Sequence, residues 1–209
     1  MPDIEGFILA GGASSRMGED KARLRLCGLT FVERAAAALG AVAESVSVVG
    51  TGRRAEEFGL PVVEDLRAGL GALGGIHAAL TCCRAPWAAV VSCDMPFVTG
   101  ELLSRLASLR VEGAGAVAPL QPDGRVQPLC ALYSRAECLD AAEELIRAGD
   151  LRPRSLLERA RARLVPFGEL RDLRGSEHFF RNVNTPSDYA EARAILCRAG
   201  VDEDGESAL

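Results

Sequence analysis

The stretch Ile4-Glu5-Gly6-Phe7-Ile8-Leu9-Ala10-Gly11-Gly12-Ala13-Ser14-Ser15-Arg16-Met17-Gly18-Glu19-Asp20-Lys21 decides how the chain folds. Ile4 to Leu9 is an apolar run that predicts a buried strand. The segment after it packs three glycines, two serines and two cations into one turn. Glycines let backbone N–H groups come close to an anion, and Arg16 and Lys21 supply the countercharge. A strand running into such a turn predicts an α/β fold with an anion held at the strand mouth.

The chain has 209 residues, 48% hydrophobic and 25% charged, which is ordinary composition for one well-buried domain. A net charge of −5 argues against a surface that attracts nucleic acid or anionic lipid as a whole. Any anionic ligand must therefore be held by a local site. The start, Met1-Pro2-Asp3-Ile4-Glu5, is acidic where a secretory signal carries positive charge, and no apolar run approaches the roughly 20 residues of a membrane span. The expected location is cytoplasmic. Seven cysteines without C-x-x-C spacing argue against disulfides or zinc, and most read as small buried hydrophobes. His77 and His178 are expected to be surface or capping residues.

Outward from the opening stretch, Thr30-Phe31-Val32-Glu33 is a capping box that starts a helix ending near Gly40. Ser45 to Gly50 and Pro61 to Glu64 read as strands, Ala68 to Gly75 as a glycine-rich loop, and Ile76 to Cys83 as a helix. Trp87 to Ser92 is the most continuous apolar strand of the middle region, and Cys93-Asp94-Met95-Pro96 ends it. A helix follows over Thr99 to Leu109, with Leu102, Leu103, Leu106 and Leu109 on one face. Ala114 to Leu120 and Pro128 to Tyr133 are too close in sequence to pair in parallel, so they predict an antiparallel pair towards one end of the sheet. Arg135 to Arg147 and Ser155 to Ala162 are helical by period, and Leu164 to Phe167 is a weak edge strand. Thr185 caps a last helix with Pro186 at its first position, running to about Arg198. Together these predict a single-domain, Rossmann-like three-layer α/β/α fold with a mostly parallel sheet, over residues 1–199, and a disordered acidic tail over 200–209.

In such sheets ligands bind outside the carboxyl ends of the strands, at a switch point. The glycine turn, Glu64-Asp65 and Asp94 each follow a strand, so they should share one rim. The turn fits neither G-x-G-x-x-G nor G-x-x-x-x-G-K-[ST], which disfavours both common nucleotide fingerprints. Asp94, at the mouth of an apolar strand, suits a hard cation such as Mg²⁺ that bridges substrate phosphates. Asp65 would be a second carboxylate or a sugar hydroxyl acceptor. Turn formation is the simpler reading for either aspartate taken alone.

Read together, these motifs carry a resemblance. Leu9-Ala10-Gly11-Gly12, Ser15-Arg16-Met17-Gly18 and Asp20-Lys21 are similar to the signature loop of the nucleotidyltransferases that act on the molybdenum cofactor, and among them the guanylyltransferases. In the same order come Glu64-Asp65, the glycine segment before Ile76, Cys93-Asp94-Met95-Pro96-Phe97, Gln127-Pro128-Leu129 leading to Tyr133, and Phe180-Arg181-Asn182-Val183-Asn184-Thr185-Pro186. The closing Asn-Val-Asn-Thr-Pro is the narrowest of them. Ala72 stands where relatives carry proline, and Gly50-Thr51-Gly52-Arg53 stands where they often place asparagine.

The resemblance implies transfer of GMP from GTP to the phosphate of molybdopterin or molybdenum-molybdopterin, giving molybdopterin guanine dinucleotide and pyrophosphate. It implies that Arg16, Lys21 and Asp94 are catalytic and that Leu9, Ala10, Gly11, Gly12, Lys21, Asp65 and Asp94 contact the nucleotide. Asp94 would hold Mg²⁺, and Asn182 and Asn184 the acceptor. Other molybdenum cofactor biosynthesis proteins and recipient molybdoenzymes are the implied partners, with no nucleic acid and no membrane. Alternatives are use of CTP or of another phosphorylated acceptor, a nicotinamide-dependent oxidoreductase, and a non-catalytic nucleotide sensor.

Overall fold

The computed structural model describes residues 3–10, 24–50, 58–64 and 69–204, with side chains as far as residue 197. β1 (Ile4–Leu9) leads, after residues 11–23, to a small hairpin of β2 (Arg25–Leu26) and β3 (Leu29–Thr30), then to α1 (Phe31–Leu39). β4 (Val46–Val49), β5 (Val62–Val63), α2 (Gly71–Cys82), β6 (Trp87–Ser92) and α3 (Gly100–Ser108) follow. The second half holds β7 (Ala116–Pro119), β8 (Cys130–Ser134), α4 (Arg135–Arg147), α5 (Pro153–Arg159), β9 (Arg163–Val165) and α6 (Pro186–Asp204).

Seven strands form one sheet in the order β5-β4-β1-β6-β8-β7-β9. β1 pairs in parallel with both β4 and β6, and β8 runs antiparallel between β6 and β7. Both faces of the sheet are covered, so the strands alternate between two cores rather than between core and solvent. Ile4 and Ile8 of β1, Ala89 and Val91 of β6, and Leu132 of β8 join the core that holds α1 and α3. Phe7 and Leu9, Ala88 and Val90, and Ala131 and Tyr133 join the core on the other face, with α2, α4 and α5. The mostly parallel three-layer fold and the antiparallel pair towards one end are as the sequence predicts.

Local chemistry explains the helix starts. Thr30 N donates to Glu33 Oε2 at 2.6 Å and Glu33 N to Thr30 Oγ1 at 3.1 Å, completing the capping box of α1, and Gly40 is its C-cap. In α3, Leu102, Leu103 and Leu106 are buried along one face. Thr185 and Asp188 form the same reciprocal pair at α6, whose first residue is Pro186. This helix continues past Arg198 to Asp204.

Two expectations are corrected, and one element was not anticipated. The segment Gly71 to Gly75 is not loop but the first turns of α2, because Leu73, Gly74 and Gly75 are buried against the sheet. A Cβ at Gly75 would lie 3.3 Å from Leu9 Cδ2, so glycine here serves close helix–strand approach rather than a turn. The β2–β3 hairpin was not legible, since each of its strands is two residues long. His77 is not at the surface: it is buried in α2 with Nε2 3.4 Å from Glu143 Oε1 of α4. Of the cysteines, Cys83, Cys93, Cys130 and Cys138 are buried as expected, while Cys27, Cys82 and Cys197 are exposed. Burial pushes the Cys130 thiol up to about 12, which leaves it an inert packing group. Among the described residues, no helix is long and apolar enough to cross a membrane.

One of the tightest packing points among the described residues lies just before β7. A Cβ on Gly115 would lie 2.6 Å from Glu137 Cβ and 3.0 Å from the Ala160 carbonyl oxygen, atoms that cannot swing aside. Gly115→Ala is expected to destabilise the protein by about 1–3 kcal/mol through overpacking. The urea unfolding midpoint measures this, and a wild-type midpoint would contradict the packing described.

Candidate active site

Register builds the site's floor. Leu9 pairs with Val49 and with Ser92, and Val49 pairs with Val63, so β1, β4, β5 and β6 end level with one another. The ladder continues for one more step, with Ala10 N donating to Val49 O at 2.9 Å, Cys93 N to Leu9 O at 3.1 Å and Gly50 N to Val63 O at 3.1 Å. After β1 the chain moves towards β4 and β5, then crosses back through α2 to β6 on the other side of β1. The topological switch point therefore lies between β1 and β6, where a ligand is expected in this architecture.

Asp94 stands on that rim, half-buried, one residue beyond Cys93. Ser92 Oγ donates to Asp94 Oδ1 at 2.6 Å, which fixes the carboxylate. The Asp94 carbonyl accepts from Val183 N at 2.9 Å. This backbone bond brings the Asn182-Val183-Asn184 segment to the strand mouth from the opposite end of the chain. Val183 is buried with Phe97, Leu26, Phe31 and Ala192, so an apolar plug anchors the segment while Asn182 remains exposed and Asn184 half-buried. Asn184 N and Thr185 N both donate to Asp188 Oδ2, at 2.9 and 2.8 Å.

Two other strand-mouth features join this rim. The α2 N-terminus is reached from β5; among the described residues no side chain caps it, and the helix dipole favours an anion there. The 127–129 segment folds onto the rim through Ser92 N, which donates to Leu129 O at 2.8 Å, and Gln127 N, which donates to Pro119 O at 2.9 Å. The Tyr133 hydroxyl donates to Pro128 O at 2.7 Å, and burial raises its pKa well above the ordinary phenol value. Gln127, Pro128 and Tyr133 therefore shape the rim as packing and backbone-bonding residues.

Of the expected site residues, the structure brings together Leu9, Ala10, Asp94, Asn182 and Asn184. The Leu9 side chain packs inward towards α2, and its carbonyl accepts from Cys93 N in the ladder. Gly11, Gly12, Arg16, Lys21 and Asp65 lie outside the described residues. Ser92 and the α2 N-terminus were missed. Ser92 reads in sequence as one more strand residue, and a glycine-rich run reads as loop.

A family model for the MobA-like NTP transferase domain matches residues 6–164. The chain belongs to this family. It is accordingly an enzyme of the nucleotidyltransferase class. A probable molybdenum cofactor guanylyltransferase of Pelotomaculum thermopropionicum is 42% identical over 198 residues, covering 93% of this chain and 94% of the relative. A molybdenum cofactor guanylyltransferase of Cereibacter sphaeroides is 37% identical, with 91% and 96% covered. Among solved structures, the molybdopterin-guanine dinucleotide biosynthesis protein A of Archaeoglobus fulgidus superposes with a TM-score of 0.79 at 28% identity, covering 93% of this chain and 99% of that one. A 2-C-methyl-D-erythritol 4-phosphate cytidylyltransferase of Thermus thermophilus shares the fold, with a TM-score of 0.65 at 20% identity over 91% of this chain and 98% of that one.

The Asp94–Val183 bond gives a direct expectation. The Val183 amide lies outside any helix or strand, yet it should exchange with solvent far more slowly than its neighbours in residues 181–185. Val183→Ala, by thinning the apolar plug, should lower that protection. Amide exchange followed by NMR checks both, and free exchange at Val183 in the unmodified protein would contradict the linkage.

Proposed function

We propose that this enzyme transfers the guanylyl group of GTP to the phosphate of molybdopterin, forming molybdopterin guanine dinucleotide and pyrophosphate. The observation that carries the reading is identity of up to 42% with guanylyltransferases of this pathway across nearly the whole chain. The linkage of Asp94 to the Asn182-Val183-Asn184 segment supports it, because a two-substrate reaction needs donor and acceptor groups at one mouth.

In this reaction a phosphate oxygen of the acceptor attacks the α-phosphorus of GTP. A new P–O bond forms, the bond from the α-phosphorus to the bridging oxygen breaks, and pyrophosphate leaves in line. A phosphate monoester has its second pKa near 6, so at neutral pH the nucleophile is already mostly dianionic and no general base is required. The work of the protein is to bring two polyanions together and stabilise the charge that moves. Arg16 and Lys21 are assigned to the triphosphate, and Leu9, Ala10, Gly11 and Gly12 to the nucleotide. Asp65 is assigned to the nucleotide, and Asn182 and Asn184 to the acceptor.

Mg²⁺ fits Asp94 as a donor. The carboxylate is a hard oxygen ligand at the rim, held by Ser92 through one of its oxygens. Among the described residues no cluster of three or more His, Cys, Asp or Glu is placed to cage a metal. Mg²⁺ is commonly bound through one or two carboxylates, with substrate phosphates and water completing its shell. When bound, such an ion would neutralise charge on the phosphates.

The deciding experiment measures pyrophosphate release with molybdopterin and each of the four nucleoside triphosphates. GTP should be preferred. Preferred use of CTP would overturn the guanylyl assignment, and release without dependence on molybdopterin would overturn the acceptor.

Lys21→Ala and Asp94→Asn should each lower turnover by about 10²–10³-fold without changing the far-UV circular dichroism. Activity within a few-fold of wild type would remove the assigned role. Ser92→Ala, which frees the Asp94 carboxylate, should cost about 10–100-fold in turnover or in Mg²⁺ half-saturation. A chelator should abolish turnover, and added Mg²⁺ should restore it.

A further inference from the structure

The amides of Val183, Asn184 and Thr185 follow one another in the chain, and two aspartates hold all of them. Val183 N donates to the Asp94 carbonyl at 2.9 Å, while Asn184 N and Thr185 N both donate to Asp188 Oδ2, at 2.9 and 2.8 Å. Hydrogen bonds to an ionised acceptor are shorter and stronger than those between neutral groups. The backbone of Asn184 is therefore pinned on either side, through Val183 to the strand mouth and through Asp188 to α6.

Capping of α6 accounts for one of the two Asp188 bonds and leaves the other. In a capping box the third helical residue returns a bond to the amide of the residue that caps the helix. Here that bond is Thr185 N to Asp188 Oδ2, and Thr185 Oγ1 accepts in turn from Asp188 N at 3.1 Å. Asn184 lies one residue further out, so its bond to Asp188 satisfies no amide of the helix. It ties the strip to α6 instead.

α6 is a firm support for this tie. The Tyr189 hydroxyl donates to the Arg25 carbonyl, and Ala192 is buried with Leu26, Phe31, Phe97 and Val183. Asp188, Glu191 and Asn182 line one small cavity of about 50 Å³ beside Phe97, so the helix carboxylates and the exposed asparagine share one place. Glu191 also reaches the strip, with Oε2 accepting from Arg181 Nη2 at 3.2 Å. Both partners of that pair are exposed, and an ion pair on the surface holds little. The half-buried Asp188 is the carboxylate that fixes the strip.

We propose that Asp188 is a positioning residue for the acceptor, holding the backbone of Asn184 so that Asn182 and Asn184 meet molybdopterin at a fixed distance from Asp94. This rests on the assignment of the two asparagines to the acceptor. Without the Asp188 carboxylate the strip keeps its bond to Asp94 and its apolar plug at Val183, but the residues after Val183 lose their anchor. The acceptor phosphate would then be presented out of line with the α-phosphorus, and a misplacement on the order of 1 Å can cost about 10²-fold in rate. GTP and Mg²⁺ are assigned to other residues, so their half-saturation should not follow Asp188.

The test is steady-state pyrophosphate release by the full-length protein, with molybdopterin and GTP varied in turn. Asp188→Ala should lower kcat/KM for molybdopterin by about 10–100-fold, with the KM for GTP and the Mg²⁺ half-saturation unchanged. Asp188→Asn keeps the shape and an uncharged acceptor oxygen, so it should fold as wild type and lose less. Thr185→Ala removes the other half of the cap and should lower Tm by about 2–6 °C while leaving kcat/KM for molybdopterin unchanged. Glu191→Gln should behave as wild type. Wild-type kcat/KM in both Asp188 variants, where Asn184→Ala lowers it, would overturn the positioning role. So would an equal loss in Thr185→Ala, which would make the effect one of helix capping, or a matching rise in the KM for GTP. Wild-type kcat/KM for molybdopterin in Asn182→Ala and in Asn184→Ala would overturn the acceptor assignment itself, and this inference with it.

Discussion

The parallel pairing of β1 with β6 is the constraint on which the rest depends. Both strands are buried on both faces, and their ends are level because Leu9 lies opposite Ser92. A slip of one residue would turn Ile8 and Val91 from one core into the other, exchanging large and small side chains across two packed layers. Register is therefore tightly specified, and with it the height at which every loop leaves the sheet. Cys93 N bonding to Leu9 O locks that height at the switch point, one residue before Asp94.

From this level rim the site is assembled by short-range devices. Ser92 orients Asp94 from within the strand, α2 presents its N-terminus, and the antiparallel β8 returns Leu129 to bond Ser92 N. The last contribution comes from far along the chain. Val183 enters an apolar plug formed by the hairpin, by α1 and by Phe97, and its amide closes on the Asp94 carbonyl. An apolar anchor and one backbone bond thereby hold the two halves of this rim in register.

Much of the fold was legible because its signals are local. The capping box at Thr30 and Glu33, the proline at the start of α6 and the leucine face of α3 each carry their own physical cause within four or so residues. α4 begins and ends where its period predicts, at Arg135 and Arg147. The errors fell where a residue answers to a distant partner. The glycines of α2 look like a turn until Leu9 is seen against Gly75, and His77 looks exposed until α4 brings Glu143 beside it. The two-residue strands of the hairpin are too short to show a period at all.

By itself the sequence determined the fold class and the family resemblance. Hydrophobic period, caps and short motifs act within a few residues and so can be read along the chain. Only the tertiary structure decided that Asp94 and the Asn182-Val183-Asn184 segment share one mouth and that Ser92 steadies the carboxylate. Those contacts follow from how two buried faces and one apolar plug pack, and packing between distant segments leaves no period or spacing in the sequence from which to read it.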